Sequence, residues 1–156
     1  MSINAKQRLS INEINQIQGL IQSNIDSRDG FRHAASATDD LTLQSAFVQV
    51  ANEREAQAAE LATFVAWSGE SPREEGSVGA ALQRALMTIR ESLSFDDRYA
   101  ILCEAERCED MIKAAYESAM VAISGSVMDD VLLRQYRAVT ATHDRIRDLR
   151  DAVAGE

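Results

Sequence analysis

The sequence has little of what β-structure and membrane segments require. Seven glycines and one proline in 156 residues leave too few turn residues for a sandwich or a barrel. No apolar run approaches the roughly 18 residues that span a bilayer. The first residues lack the apolar segment of a signal peptide. We therefore expect a cytoplasmic protein whose fold is helical.

Cysteine is scarce as well. Cys103 and Cys108 are five residues apart, which on a helix places them about 140° apart around the axis. At that angle they can neither form a disulfide with each other nor chelate a metal together. We interpret both as small apolar structural residues, which agrees with a cytoplasmic protein.

Positive charge is in deficit: 16 Lys and Arg stand against 25 Asp and Glu, for a net charge of −9. Such a surface repels phosphate backbones and anionic membranes. The arginines near the C-terminus alternate with aspartates, which favours surface ion pairs over a DNA-binding strip. The sequence therefore predicts neither a nucleic-acid nor a membrane partner. It also contains no P-loop, no Gly-rich dinucleotide turn and no G-x-S-x-G motif.

The chain does contain clear signals for where helices begin and end. Ser10 and Glu13 have the spacing of a capping box, and Gly69 with Pro72 just beyond is typical of a helix end. Between such signals, apolar residues recur at steps of three and four. We predict one domain, residues 1–156, with long helices at about 10–37, 40–68, 97–123 and 127–153 and a short helix at about 78–93.

The connections between the predicted helices indicate the topology. About three residues join the first helix to the second and the third to the fourth, so each pair forms an antiparallel hairpin. Nearly 30 residues separate the second helix from the third, enough to run the length of a bundle and start the third parallel to the second. Two hairpins joined by a long crossover define a ferritin-like four-helix bundle. A plain up-and-down bundle with the short helix across one end is the alternative.

Charged residues occupy positions within the apolar stripes. Arg54 lies seven residues from both Phe47 and Leu61, and Glu109 has the same relation to two apolar neighbours. A charge buried alone is costly, so each must pair or reach water. We expect Arg54 to pair with Glu109 between the second and third helices. Arg28 is placed in the same way on the first helix.

For Arg28 we expect a pairing with Glu53 or Glu106. The resulting hypothesis is a buried ion-pair network of Arg28, Arg54 and Glu109 that fixes the helix register. In this interpretation the protein has no catalytic residue and no cofactor.

The alternative is a metal site, because ferritin-like bundles bind metals through inward Glu residues and Glu-x-x-His pairs. This chain lacks the complete pattern: Ala56 stands three residues after Glu53, and Thr140 three before His143. The candidate ligands, with iron as the metal, are Glu53, Glu106, Glu109 and His143. A guanidinium among these ligands would repel a divalent cation.

Several charged segments carry a resemblance to a known family. These are Arg28-Asp29-Gly30-Phe31, Asn52-Glu53-Arg54, the segment from Glu104 to Asp110 and the segment from Thr142 to Asp151. Over residues 10–153 the chain resembles a bacterial family of small ferritin-like four-helix proteins known only as a domain of unknown function. The resemblance implies the ferritin-like fold and relatives that bind iron, and it implies no established activity.

Two departures from the family pattern bear on the metal hypothesis. Gln83-Arg84 stands where the family tends to have His-Arg, and Cys108 stands where it tends to have Gly. The missing His removes one further possible ligand. We therefore favour a non-enzymatic homodimer that binds a partner protein or itself, with a role under stress as one hypothesis. An iron-handling oxidase is the alternative.

Overall fold

A computed structural model describes residues 8–74 and 97–156. These ranges contain no strand and four helices: α1 (Ile11–Ala37), α2 (Leu41–Trp67), α3 (Arg98–Ala122) and α4 (Asp129–Ala154). The predicted all-α four-helix bundle is confirmed, and the predicted helix ends lie within two residues of the observed ones. The short helix predicted at 78–93 lies outside the described residues. No helix in the described ranges is long and apolar enough to cross a membrane.

Side-chain caps explain where three of the helices begin. The Ser10 hydroxyl accepts a hydrogen bond from the Glu13 amide at 3.1 Å, and the Glu13 carboxylate accepts one from the Ser10 amide at 3.0 Å. This is the predicted capping box. Asp40 caps α2 and Asp97 caps α3 by accepting hydrogen bonds from backbone amides of the first helical turn. Each cap satisfies amides that have no partner inside the helix.

The start of α4 differs from the prediction. The helix was predicted to begin at residue 127, but it begins at Asp129, and the Ser126 hydroxyl accepts a hydrogen bond from the Met128 amide at 3.1 Å within the preceding turn. Gly125 turns the chain with a φ of 84°, a backbone conformation that L side chains rarely adopt. The Gly125 amide donates to the Asp129 carboxylate at 2.9 Å. The turn between the hairpin helices therefore includes residues that the sequence had suggested for the helix.

Contacts between side chains establish the helix directions. Besides the two hairpins, α1 packs on α3 and α2 packs on α4. Asn24 of α1 bonds Tyr116 of α3 at 2.9 Å, while Glu13 bonds Ser126, so these two helices are antiparallel. Helices α2 and α3 lie on a diagonal and run parallel, because Arg98 lies 3.6 Å from Asp40 at their shared N-terminal end. The third helix thus starts parallel to the second, as expected.

The interior consists of two apolar clusters with polar residues between them. One cluster includes Ile17 and Leu61, and the other includes Phe47 and Leu102. Between their centres, near the middle of the bundle, lie polar side chains that are almost completely buried. We call this set the polar layer: Asn24, Arg54, Gln57, Glu109, Gln135 and Thr142.

Candidate functional site

The centre of the polar layer is the pair Arg54 and Glu109, both 0% exposed. Arg54 donates from Nη2 to the Glu109 carboxylate across the diagonal of the bundle. From Nη1 it donates to Glu53 at 3.0 Å and to Gln57 at 3.2 Å. Glu53 also accepts a hydrogen bond from the Thr142 hydroxyl. One guanidinium thereby links carboxylates of α2 and α3, while Glu53 continues the network to α4.

The Arg54–Glu109 pair has one unused donor and one unused acceptor. Arg54 Nε and Glu109 Oε1 have no hydrogen-bond partner among the described residues. The Nε and Nη2 hydrogens lie on the same edge of a guanidinium, so a small rotation would add the second bond of a side-on pair. Burial raises the pKa of Glu109 to about 7, although the neighbouring Arg54 charge lowers it. The carboxyl group is therefore poised to hold a proton near neutral pH.

A second set of hydrogen bonds runs from the layer to the surface. Asn24 donates to the Tyr116 hydroxyl at 2.9 Å, and Tyr116 donates to Gln135 at 2.7 Å. Gln135 then donates to Glu60 at 2.7 Å, and Glu60 accepts from Arg134 at 2.6 Å. All four helices contribute one or more of these residues. A network that joins all four helices favours one relative placement of them, although the Asn24 Oδ1 atom has no hydrogen-bond partner among the described residues.

Asn24, Gln57 and Gln135 were not among the predicted site residues. A signal was present for Asn24, which lies seven residues after Ile17 and three after Ile21, the spacing of a core position. Gln135 likewise follows Leu132 by three residues. A neutral amide within a stripe is a weaker signal than a charge, because many such amides face solvent.

The structure places Arg28 differently from our expectation. Its side chain is 22% exposed and does not reach Glu53 or Glu106. Its Nε lies 2.9 Å from the Asp29 carboxylate, and its Nη1 lies 3.9 Å from Glu55. An arginine side chain is long enough to leave the core edge and keep its charge hydrated. The buried pair therefore consists of Arg54 and Glu109, without Arg28.

The four candidate metal ligands fall into two separate groups. Glu53 and Glu109 both accept hydrogen bonds from Arg54. Glu106 instead accepts from Arg150 and lies 3.6 Å from His143 Nε2. Within the described ranges, no three His, Cys, Asp or Glu side chains are arranged to hold a metal ion.

The remaining partners of His143 are carboxylates on the half-exposed side of the α3/α4 hairpin. Its Nε2 lies 2.8 Å from Asp110, and its Nδ1 lies 3.3 Å from Asp144. Since the imidazole is already held between acidic groups, its two nitrogens are oriented by α3 and by the adjacent residue. In the polar layer itself, Arg54 donates to Glu109, and the adjacent Glu53 accepts from both Arg54 and Thr142.

A comparison with known protein families assigns the chain to one of them. The sequence signature of the family described as "Domain of unknown function (DUF2383)" matches residues 12–122, from the second residue of α1 to the last residue of α3. The chain belongs to this family. The DUF2383 match includes Arg54 and Glu109, whereas α4, with Gln135 and His143, lies beyond it. No curated protein matches the chain.

Proposed function

We propose that this protein is a non-enzymatic ferritin-like bundle in which a buried Arg–Glu network takes the place of a di-metal centre. The proposal further holds that it acts in the cytoplasm as a homo-oligomer or as the binding partner of another protein. A role under stress is the physiological setting that we would examine first. The helix topology supports the ferritin-like part of this proposal. Helices α2 and α3 run parallel, so the chain needs a long connection between them.

The observation that carries the proposal is the position of Arg54. Its guanidinium is fully buried in the polar layer and donates to both Glu53 and Glu109. A guanidinium remains charged at neutral pH, so it supplies the positive charge that a metal would otherwise supply to these carboxylates. A divalent ion added beside it would be repelled and would have to displace its hydrogen bonds. These residues do not fit a carboxylate-bridged metal pair.

The polar layer also supports a structural role. Replacing buried ion pairs with apolar residues often leaves stability unchanged or improves it, so such pairs are better explained by specificity than by stability. In this bundle the polar layer, together with Tyr116 and Glu53, joins all four helices by side-chain hydrogen bonds. A bundle of fixed register presents defined outer faces, which is what a protein-binding function needs.

The alternative function is iron handling, and one observation favours it. Glu106 and His143 lie 3.6 Å apart, with Asp110 at 2.8 Å from the same imidazole nitrogen. Carboxylates and imidazole are suitable iron ligands. In this alternative an iron ion would be bound on the α3/α4 hairpin, and Glu53 and Glu109 would have to leave Arg54 to join it.

Elemental analysis distinguishes the two functions. The protein is purified without affinity tags or chelators and measured before and after incubation with ferrous iron and oxygen. We expect far less than one metal atom per chain in both samples. About one or two atoms of iron, manganese or zinc per chain, lost in a Glu106→Gln, His143→Ala double variant and kept in an Arg32→Ala control, would overturn the proposal.

A further inference from the structure

Helices α2 and α4 are joined mainly by side-chain hydrogen bonds, which leaves a grooved seam between them in the described part of the bundle. Three cavities lie between them in the described ranges. The most apolar has a volume of about 320 Å³ and is bounded by Ala46, Val50, Ile146 and Leu149. A neighbouring cavity of about 290 Å³ reaches the level of Gln57. Such a continuous groove between two helices is a site where another helical surface can pack.

The chain that follows α2 is directed away from this seam. Gln18 of α1 donates to the Ser71 carbonyl at 2.8 Å and accepts from the Arg73 amide at 2.8 Å. Helices α1 and α4 both pack on α2 but not on each other, so α1 flanks a different side of α2 from α4. Residues 71–73 therefore lie beside α1, and within the described ranges no segment covers the α2/α4 face.

The two edges of the seam carry opposite charges. Glu60 stands on the α2 edge and Arg134 on the α4 edge, 2.6 Å apart. Glu53 on α2 and Arg145 on α4 carry the same signs further along these edges, although they do not pair with each other: Glu53 accepts from Thr142, and Arg145 donates to Gln49. A two-fold axis parallel to the bundle would place α2 of one copy against α4 of the other at the same level. Each Arg134 would then lie between two Glu60 carboxylates, so the face is complementary to itself.

The face also has the apolar character and the size that a dimer needs. Trp67 follows Glu60 by seven residues, is 54% exposed and packs edge-on against Phe64, with ring centroids 5.4 Å apart. Helix α2 has 27 residues, so at 1.5 Å per residue it is roughly 40 Å long. Two helices packed side by side are roughly 20 Å wide. The resulting area of roughly 800 Å² per protomer is the usual size of a stable interface.

We propose that the α2/α4 face binds a second copy of this chain in a parallel two-fold dimer, with α2 of each protomer against α4 of the other. This deepens the homo-oligomeric part of the proposed function and does not depend on whether a metal binds. The net charge of −9 is screened beyond about 8 Å at physiological ionic strength. The contacts within the seam, where the charges alternate, therefore decide the association.

Single charge reversals test the face. Sedimentation equilibrium of the parent protein should show a dimer. Glu60→Lys should weaken dimerisation at least about tenfold, because two lysines then face the partner subunit's Arg134 and its symmetry mate. Arg134→Glu should do the same. The matched control is Glu55→Lys, which makes the same change in an exposed pair with Arg32 on the α1/α2 face.

Mixing the two weakened variants tests the parallel arrangement. In a heterodimer of Glu60→Lys with Arg134→Glu, both contacts between protomers again join opposite charges, although the pairs within each protomer do not. We expect the equimolar mixture to form a heterodimer with most of the parent affinity. Weakening by each single reversal, followed by this rescue, requires α2 to face α4 of the other copy. In an α2-to-α2 interface the parent would already place two Glu60 carboxylates together, so Glu60→Lys alone would not weaken it.

A parent protein that stays monomeric up to about 100 μM, well above the range of specific complexes, would overturn the proposal. So would a dimer that Glu60→Lys leaves intact, or one that Glu55→Lys weakens as much as Glu60→Lys does. Failure of the two weakened variants to form a heterodimer when mixed would also overturn it. Circular dichroism of each variant verifies that the helices are retained. None of these outcomes bears on metal binding, so the elemental analysis remains an independent test of the proposed function.

Discussion

Arg54 and Glu109 meet across the diagonal of the bundle, on two parallel helices that do not pack directly on each other. Both side chains are buried, so the energetic cost of burying either charge depends on the presence of the other. The pair is also the point where the two apolar clusters of the core are separated. Its properties lead to predictions about stability, pH dependence and side-chain reactivity.

Removal of the guanidinium should destabilise the bundle strongly. Arg54→Ala leaves Glu109 buried without a counter-charge and should lower the free energy of unfolding by about 3–5 kcal/mol. Urea denaturation at about pH 8, where Glu109 is ionised when unfolded, measures the change. Arg32→Ala, which removes an exposed pair with Glu55 at 2.7 Å, should cost only about 0–1 kcal/mol. Equal effects of the two variants would contradict the buried pair.

Stability should decrease as pH rises, because of Glu109. Burial raises its pKa from 4.5 to about 7, so the folded state binds the proton more tightly than the unfolded state. The stabilising contribution is complete below about pH 4.5 and is lost as pH rises through about 7. Parent stability measured against Glu109→Gln should therefore fall between these values and level off above them.

Comparing the parent protein with Glu109→Gln also cancels the pH-dependent effect of a second carboxyl group on stability. Burial raises the pKa of Asp26 to about 6, which acts in the same direction, and Asp26 is present in both proteins. A difference between parent and Glu109→Gln that is constant from about pH 5 to about pH 8 would show that Glu109 does not titrate in this range.

The hydroxyl of the fully buried Tyr116 should matter more for stability than that of the partly buried Tyr136. Tyr116→Phe leaves Gln135 without the 2.7 Å hydrogen bond from the Tyr116 hydroxyl, and we expect a loss of about 1–3 kcal/mol. Tyr136→Phe makes the same substitution where the hydroxyl bonds Glu117 at the surface, and should change stability by less than about 0.5 kcal/mol. Thermal unfolding followed by circular dichroism compares the two variants. If both variants melt together, the hydrogen bonds of Tyr116 contribute little.

The two cysteines should differ in reactivity. Both are free thiols, but Cys108 is buried and Cys103 is partly exposed. Burial, with the Glu109 charge adding to it, raises the pKa of the Cys108 thiol to about 12. A thiol reagent should therefore modify native protein at Cys103 alone, as measured by mass spectrometry. Cys103→Ser should abolish native labelling, and Cys108→Ser should not; the reverse pattern would mean that Cys108 is accessible.

Part of the site was predictable because charge is rare within an apolar stripe. The seven-residue spacing around Arg54 and Glu109 placed each on the core face of its helix, and two opposite buried charges have few other ways to be satisfied. The same spacing around Arg28 was misleading. Its position is at the edge of the stripe, where a long side chain reaches solvent and Glu55.

The amide part of the polar layer could not be predicted in this way. Asn24 and Tyr116 are 92 residues apart in the chain, and their hydrogen bond exists only because α1 and α3 pack at one particular level. Periodicity gives the face of each helix but not its axial position against its neighbours. The partners of Gln57 and Gln135 depend on that axial position as well.

The sequence by itself determined that the protein is helical, where its four long helices begin and end, and which charged residues lie on their apolar faces. These properties depend on local capping and on a period of 3.6 residues, so neighbouring residues suffice to encode them. Only the tertiary structure decided which polar groups share one layer, that Arg28 lies outside it, and that a groove runs between α2 and α4 in the part of the chain that the structure describes. Those relationships depend on how whole helices are placed against one another, and that placement is an outcome of packing across the entire core.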